Sequence, residues 1–245
     1  MEEHRHIVEA FDRELRELSG LFFRMGELAH RQVARSVELL GRADRREAAE
    51  RIIADDDPVD ELAERIQEQA FHLLALRQPA SVDLRLVLVL YKASSNLERI
   101  ADYAANIARR ATQLDHGVPA EFIRSVARLG EMTGGQVRDV LTAFRERDAA
   151  RALEVRDRDT EVDALYISLI RELLTYMMEN HSKISHGIHV LFAVRSFERI
   201  GDHAPDIAEH VHFLIKGQMP AGRRPKVLEW NGIDEREKGP PDPSE

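Results

Sequence analysis

The chain has 245 residues, a formal net charge of −9 and no cysteine. The acidic balance argues against DNA or RNA as the main partner, and the lack of cysteine excludes disulfides, zinc–thiolate sites and thiol nucleophiles. We expect a soluble protein, because the longest strongly apolar run, 86–91, is far shorter than the roughly 20 residues of a membrane span and the N-terminus lacks a secretory pattern.

Apolar residues recur at steps of three and four along most of the chain, which is typical of amphipathic helices. The first stripe predicts a helix from about Ile7 to Leu40, and Asp44 is expected to cap the next one. Further helices are expected at about 58–76, 81–114, 119–144, 148–178 and 183–215. The last residues, rich in Gly, Pro and charge, predict a flexible tail. We therefore predict an all-α protein.

The chain repeats itself with a period of about one hundred residues. The segment LERIADYAANIA, which begins at Leu97, returns as FERIGDHAPDIA from Phe197. Upstream, the acidic segment 56–62 corresponds to 159–165. Each half contains about three helices, so the economical architecture is two tandem, internally repeated three-helix bundles. Their predicted limits are residues 1–116 and 117–217, followed by the tail, residues 218–245.

Acidic residues four apart recur in each copy of the motif and share one helical face. A second acidic pair lies on the preceding helix of each half. Together, the candidate metal ligands are Glu98, Asp102, Asn106, Asp56 and Asp60 in the first half and Glu198, Asp202, Asp206, Asp159 and Asp163 in the second. Like charges about 4 Å apart repel by about 4 kcal/mol at an effective dielectric near 20, so converging carboxylates need protons or cations. Oxygen ligands suit iron, manganese or magnesium, and zinc if a histidine joins them.

Three other interpretations of these residues stay open. Acids at helical spacing commonly form a solvated surface, and the chain is then a purely structural helical adaptor. The upstream acids also fit helix N-cap boxes, Asp57 with Asp60 and Thr160 with Asp163. The third interpretation is a carboxylate-bridged metalloenzyme. The segments Glu27–His30 and 209–212 contain glutamate and histidine at the spacing that di-iron helical bundles use for their metal ligands. Those two segments do not correspond under the repeat, so the residues do not favour an enzyme.

The paired motifs resemble those of the PhoU family. The resemblance includes Phe11–Leu15 and Met25–Ala29 of the first helix, the link Leu76–Arg85 and the ending Phe213–Gly217. It spans about residues 7–217, and it depends on the order and duplication of the motifs more than on any one of them.

The resemblance implies a cytoplasmic, non-enzymatic protein that binds multinuclear metal clusters through its acidic motifs. Such a protein restrains the high-affinity phosphate ABC transporter, and we expect a contact with the transporter's ATPase subunit. It also helps a phosphate-sensing histidine kinase repress the phosphate-starvation response when phosphate is plentiful. Homodimers are common, and membrane association is indirect, through partners. By this resemblance Glu98 and Asp102 match the first motif, and Glu198 and Asp202 match the second.

Two departures from the family pattern stand in the second half. Pro205 lies inside the second motif, where a proline is expected to kink the helix and change the placement of Asp202 relative to Asp206. The second link, 179–184, lacks the Arg-Gln-Pro of the first. We therefore do not expect the two halves to be equivalent: either they bind different metals, or they do not both bind a metal.

Overall fold

A computed structural model describes residues 2–114, 118–179, 181–222 and 224. The helices are α1 (Glu2–Leu40), α2 (Arg46–Ala54), α3 (Asp57–Arg77), α4 (Ser81–Ala111), α5 (Ala120–Glu146), α6 (Ala149–Asp157), α7 (Asp159–Glu179) and α8 (Ile184–Lys216), with a 3₁₀ turn at His181–Lys183. The described residues contain no strand, and the all-α prediction is confirmed. The expected boundary between the halves, at residues 116 and 117, and most of the expected tail, residues 225–245, lie outside the described residues.

The duplication is visible in the order of the helices, because α1–α4 and α5–α8 each run long, short, medium, long. The predicted single helix over 148–178 is wrong, since α6 ends at Asp157 and α7 begins at Asp159. Arg158, between them, has φ −69° and ψ −9°, close to helical values. No proline marks the break at Arg158, whereas Pro58 marks the equivalent break in the first half.

The turn before α2 also differs from the prediction. Arg45, and not Asp44, is the N-cap residue, and its side chain makes no cap bond. Its guanidinium instead donates to the carbonyl oxygens of Leu40 at 3.1 Å and Leu114 at 2.9 Å. Arg45 therefore joins the C-terminal end of α1 to the residues that follow α4. At α6 the N-cap residue is Asp148, and its side chain accepts hydrogen bonds from two backbone N–H groups.

The centre of the molecule is the packing of α4 against α8, the two helices that carry the repeated motif. Around this pair, α1, α2 and α3 pack on α4, and α5, α6 and α7 pack on α8. Phe197 is fully buried there, and its ring lies so near α5 that a Cβ added to Gly130 would approach it to 2.6 Å. A glycine is therefore required at this crossing. The packing holds the middle of both motif helices rigidly in place.

Pro205 lies within α8, and the helix continues through it to Lys216. The proline is buried, so its ring packs in the core. The expected disruption does not separate Asp202 from Asp206, since both side chains lie within 4.0 Å of one guanidinium, that of Arg224. Among the described residues, none of the helices combines the length and the apolar character that crossing a bilayer requires.

Candidate functional site

The first acidic cluster forms where the N-terminal turn of α3 lies beside the second half of α4. We use this name for Asp56, Asp60, Glu98 and Asp102. Burial, with the charges of Asp102 and Asp60, raises the pKa of Asp56 to about 6. Burial and the same two charges also raise the pKa of Glu98. Carboxylates from the start of α3 and from α4 therefore lie near enough for their charges to interact in this half.

Two arginines border the first acidic cluster. The Nη1 atom of Arg99 lies 3.3 Å from Asp102, and both side chains are exposed by more than a third. The charge of Arg109 lowers the pKa of Asp56, but burial and the neighbouring acids have the larger effect and raise it. Arg109 also donates a hydrogen bond to Asn106 Oδ1 at 2.8 Å. Asn106, a predicted ligand, is thus exposed and already accepts a hydrogen bond from an arginine.

The second acidic cluster repeats this arrangement between α7 and α8. We use this name for Asp159, Asp163, Glu198, Asp202 and Asp206. Burial and the charges of Asp202 and Asp163 raise the pKa of Glu198 to about 7. The pair of Arg199 and Asp202, at 3.3 Å, reproduces the pair of Arg99 and Asp102. Both halves therefore gather carboxylates at equivalent places, and each cluster combines buried or half-buried acids with an exposed one, Asp60 or Asp206.

Arg224 distinguishes the second acidic cluster from the first. Its Nη2 atom donates to Asp159 and, at 3.2 Å, to Asp202 Oδ1, while Nη1 donates to the Asp202 carbonyl oxygen at 3.2 Å and lies 4.0 Å from Asp206. Burial opposes the charge on this guanidinium, but the three carboxylates outweigh it and raise the pKa of Arg224. Burial still raises the pKa of Asp159, despite the arginine, because only 2% of its side chain is exposed. An arginine from beyond α8 thus sits among the acids of the second half.

A buried glutamine stands behind each cluster. Gln32 on α1 is 1% exposed, and its Nε2 atom donates to the Ile52 carbonyl oxygen at 2.9 Å and to Asp56 at 3.5 Å. Its Oε1 atom is buried without a hydrogen-bond partner. Gln136, 104 residues later on α5, is likewise buried with both amide atoms unpartnered, and its Oε1 atom lies 3.6 Å from where a Cβ on Gly201, the neighbour of Asp202, would be. Each cluster therefore has a buried glutamine near it whose amide oxygen can accept a further hydrogen bond.

The N-cap interpretation of the upstream acids is not supported. Asp56, and not Asp57, occupies the N-cap position of α3, and its side chain makes no cap bond. The hydroxyl of Thr160 donates to the Asp157 carbonyl oxygen at 3.2 Å and so does not cap α7. Capping therefore does not account for the acids at these two helix starts.

The glutamate and histidine pairs of the metalloenzyme interpretation do not converge. Glu27 is exposed and accepts from Arg145 at 3.0 Å. The Nδ1 atoms of His210 and His212 both donate to main-chain carbonyl oxygens, those of Asp206 and Gln218. Over the described part of the chain, no group of three or more acidic, histidine or cysteine side chains is already spaced to hold a metal ion. Coordination in either cluster therefore requires side-chain rotation.

The donor chemistry of the first acidic cluster nevertheless fits a cation. All four of its acids offer oxygen atoms, which hard and borderline cations prefer. The raised pKa values of Asp56 and Glu98 show that burial and repulsion are not balanced by the neighbouring arginines. The buried, unpartnered Oε1 atom of Gln32 adds an acceptor next to Asp56. In the second cluster, Arg224 already supplies positive charge.

Three functional candidates escaped the sequence analysis: Gln32, Gln136 and Arg224. The two glutamines carry a signal, because each stands on the apolar side of a helix and they correspond under the repeat. Arg224 carries none, since it follows the last helix in a segment rich in Gly, Pro and charge, where any arginine is expected to be solvated.

Comparison with known proteins places this arrangement in a family. The family model described as PhoU domain matches residues 22–111 and 126–211, one match in each half. Proteins named phosphate-specific transport system accessory protein PhoU homolog are 40% identical in Rhizobium meliloti (strain 1021), over 91% of this chain and 94% of theirs, and 41% identical in Caulobacter vibrioides (strain NA1000 / CB15N), over 91% and 96%.

Solved structures agree with these matches. The crystal structure of PhoU from Pseudomonas aeruginosa has a TM-score of 0.81 at 39% identity, covering 85% of this chain and all of the other. That of the phosphate transport system regulatory protein PhoU from Streptococcus pneumoniae has a TM-score of 0.79 at 30% identity, covering 86% and 99%. The duplicated helices, the repeated acidic motif and these similarities together show that the chain belongs to the PhoU family.

Proposed function

We propose that this chain is a non-catalytic, metal-binding accessory protein of a phosphate-specific transport system. The relatives of this chain are named as accessory proteins of such a system, and the chain matches them over nearly their full length. The metal part of the proposal depends on one observation: burial and neighbouring acidic charges, among them that of Asp102, raise the pKa values of Asp56, Asp60 and Glu98.

Asp56, Asp60, Glu98 and Asp102 would hold the metal in the first half. Iron, zinc, manganese or magnesium, as one ion or a multinuclear cluster, would neutralise these charges and crosslink α3 to α4. The fold of the chain brings the carboxylates together, and Gln32 donates a hydrogen bond to Asp56 from α1. Metal binding in the second half follows the same scheme, with the difference that Arg224 introduces.

The regulatory part of the proposal is action by contact in the cytoplasm. A helical protein shifts a partner between two states only by binding one state more tightly than the other. We propose that the partners are the ATPase subunit of the high-affinity phosphate ABC transporter and a phosphate-sensing histidine kinase. When phosphate is plentiful, the chain, as a homodimer, restrains the first and helps the second to repress the phosphate-starvation response.

A phosphate-regulated reporter, such as alkaline phosphatase, tests this proposal in phosphate-rich cells from which the gene is deleted. Reporter activity is expected to be high in the deletion and low again with the intact gene. The double variant Glu98→Gln, Asp102→Asn is expected to restore repression poorly, because it removes two charges of the first cluster while keeping side-chain size. Glu27→Gln, an exposed glutamate outside both clusters, is the matched control and is expected to restore repression fully.

Two further measurements separate the parts of the proposal. Metal analysis of the purified protein should show less bound metal in the double variant than in Glu27→Gln; equal content would contradict metal binding at the first cluster. Capture of tagged protein from cells should enrich the transporter ATPase and the kinase over a control; enrichment of neither contradicts regulation by contact. If the double variant restores repression fully, the regulatory proposal stands, but regulation does not depend on metal at the first cluster.

A further inference from the structure

Arg224 has the position and the contacts of a resident cation in the second acidic cluster. We propose that its guanidinium takes the place of a bridging metal ion there, so that metal binding in the second half requires Arg224 to leave. The inference rests on the proposed metal-binding function, and it makes the two halves of the duplicated protein inequivalent.

The contacts of Arg224 reproduce what a bridging cation does. Asp159 belongs to α7 and Asp202 to α8, and the same Nη2 atom donates to a carboxylate oxygen of each. Only 13% of the Arg224 side chain is exposed, and Asp159 is almost fully buried. A guanidinium that joins carboxylates of two helices in a buried place cannot share that place with a metal ion, since the two positive charges would repel at close range.

The chain after α8 is shaped to bring Arg224 back to the cluster. Gly217, with φ +75°, ends α8 in the left-handed conformation that glycine adopts without strain. The carbonyl oxygen of Gln218 accepts from His212, and Gly222, with φ +80°, provides a second such turn. The described residues beyond α8 therefore contact that helix at His212 through Gln218 and, ten residues earlier in the helix, at Asp202 through Arg224.

Among the described residues, the first half has no equivalent of this contact. Under the repeat, in which α4 and α8 differ by 100 residues, position 224 corresponds to Arg124. That residue belongs to α5, is exposed, and lies 3.5 Å from Glu121. Arg124 is held in α5, whereas Arg224 lies in no helix. Among the described residues, the second cluster alone therefore receives an arginine from beyond its motif helix.

Metal and Arg224 are consequently linked. If they exclude each other, a metal ion that enters the second cluster weakens the binding of the Arg224 side chain there, and the bound Arg224 weakens metal binding to the same extent. The position of Arg224 then reports on the metal content of the second half.

Manganese binding by the full-length protein tests this inference, with Mn²⁺ alone as the probe and free Mn²⁺ measured by electron paramagnetic resonance. Arg224→Ala is expected to bind at least one more Mn²⁺ per chain than the wild type. Adding Asp159→Asn to Arg224→Ala should abolish the extra ion, since Asp159 then offers no charge. Arg224→Lys, which keeps the charge, should resemble the wild type.

The matched control is Arg145→Ala, which makes the same change in net charge at an exposed pair with Glu27, outside both clusters. Equal Mn²⁺ stoichiometry in Arg224→Ala, Arg145→Ala and the wild type would overturn the inference. Without metal, Arg224→Ala is expected to melt about 5–15 °C below the wild type, because carboxylates including the buried Asp159 lose their partner. Added Mn²⁺ should recover much of that loss. If Arg224→Ala is too unstable to purify, Arg224→Gln replaces it in the same comparison.

The outcomes distinguish this inference from the proposed function. Wild-type Mn²⁺ binding that depends on Glu98 and Asp102, without a gain in Arg224→Ala, keeps the metal proposal for the first cluster and refutes the role of Arg224. If Arg224→Ala binds Mn²⁺ and the wild type binds none, the role of Arg224 is supported and the metal proposal for the first cluster is refuted.

Discussion

Asp56→Asn is expected to stabilise the metal-free protein at neutral pH. Asp56 is 9% exposed, and burial together with Asp102 and Asp60 raises its pKa from the usual 3.8 to about 6. An acid whose pKa is raised by folding stabilises the fold only while it is protonated. Its contribution therefore disappears as the pH rises from about 4 to 6, and above 6 the ionised group costs up to about 3 kcal/mol.

The substitution removes that cost and keeps the shape of the side chain. The amide oxygen of the asparagine can still accept from Gln32, and asparagine is as good an N-cap residue as aspartate for α3. At pH 7.5 in EDTA we expect the free energy of unfolding to rise by as much as about 3 kcal/mol, or roughly 6–12 °C in melting temperature for a chain of this size. At pH 4 the two proteins should be nearly equal.

Thermal and urea denaturation at pH 4, 6 and 7.5 in EDTA measure the effect. Asp57→Asn is the matched control, because Asp57 is the next residue, is exposed, and undergoes the same chemical change; we expect a change within about 0.5 kcal/mol. Mn²⁺ at pH 7.5 should stabilise the wild type more than Asp56→Asn, since the variant lacks one ligand charge. An Asp56→Asn protein that is no more stable than the wild type at pH 7.5, or a gain that does not depend on pH, would refute the reasoning.

Two other predictions concern the scaffold that holds the clusters. Gly130→Ala is expected to destabilise by about 1–3 kcal/mol, because the new Cβ would lie 2.5 Å from Val37 and 2.6 Å from Phe197. Gly135→Ala, where the nearest side chain lies 4.0 Å away, should instead stabilise α5 by about 0.5–1 kcal/mol, and thermal melts that rank the two variants alike would contradict the packing argument. Asp148→Ala should cost about 1 kcal/mol by removing the cap of α6, while Asp148→Ser should recover most of it; equal losses in urea titrations would show that the cap is unimportant.

The helical class and the duplication were predictable from the sequence because both are local or periodic properties. The spacing of apolar residues specified the long helices, and LERIAD and FERIGD specified the equivalence of α4 and α8. Repetition also distinguished Glu98 and Asp102 from ordinary surface acids, since a solvated pair has no reason to recur with its neighbours.

Tertiary structure decided how the acids are grouped and what balances them. Asp56 and Asp102 are 46 residues apart, and only the packing of α3 on α4 makes their charges interact. The break at Arg158 follows from the docking of α6 and α7, with no proline to mark it. The placement of Arg224 depends on a chain reversal after α8, and helical periodicity carries no information about such a reversal. Sequence pattern therefore determined which residues repeat, whereas packing determined that one acidic cluster is bordered by exposed arginines and the other encloses an arginine of its own.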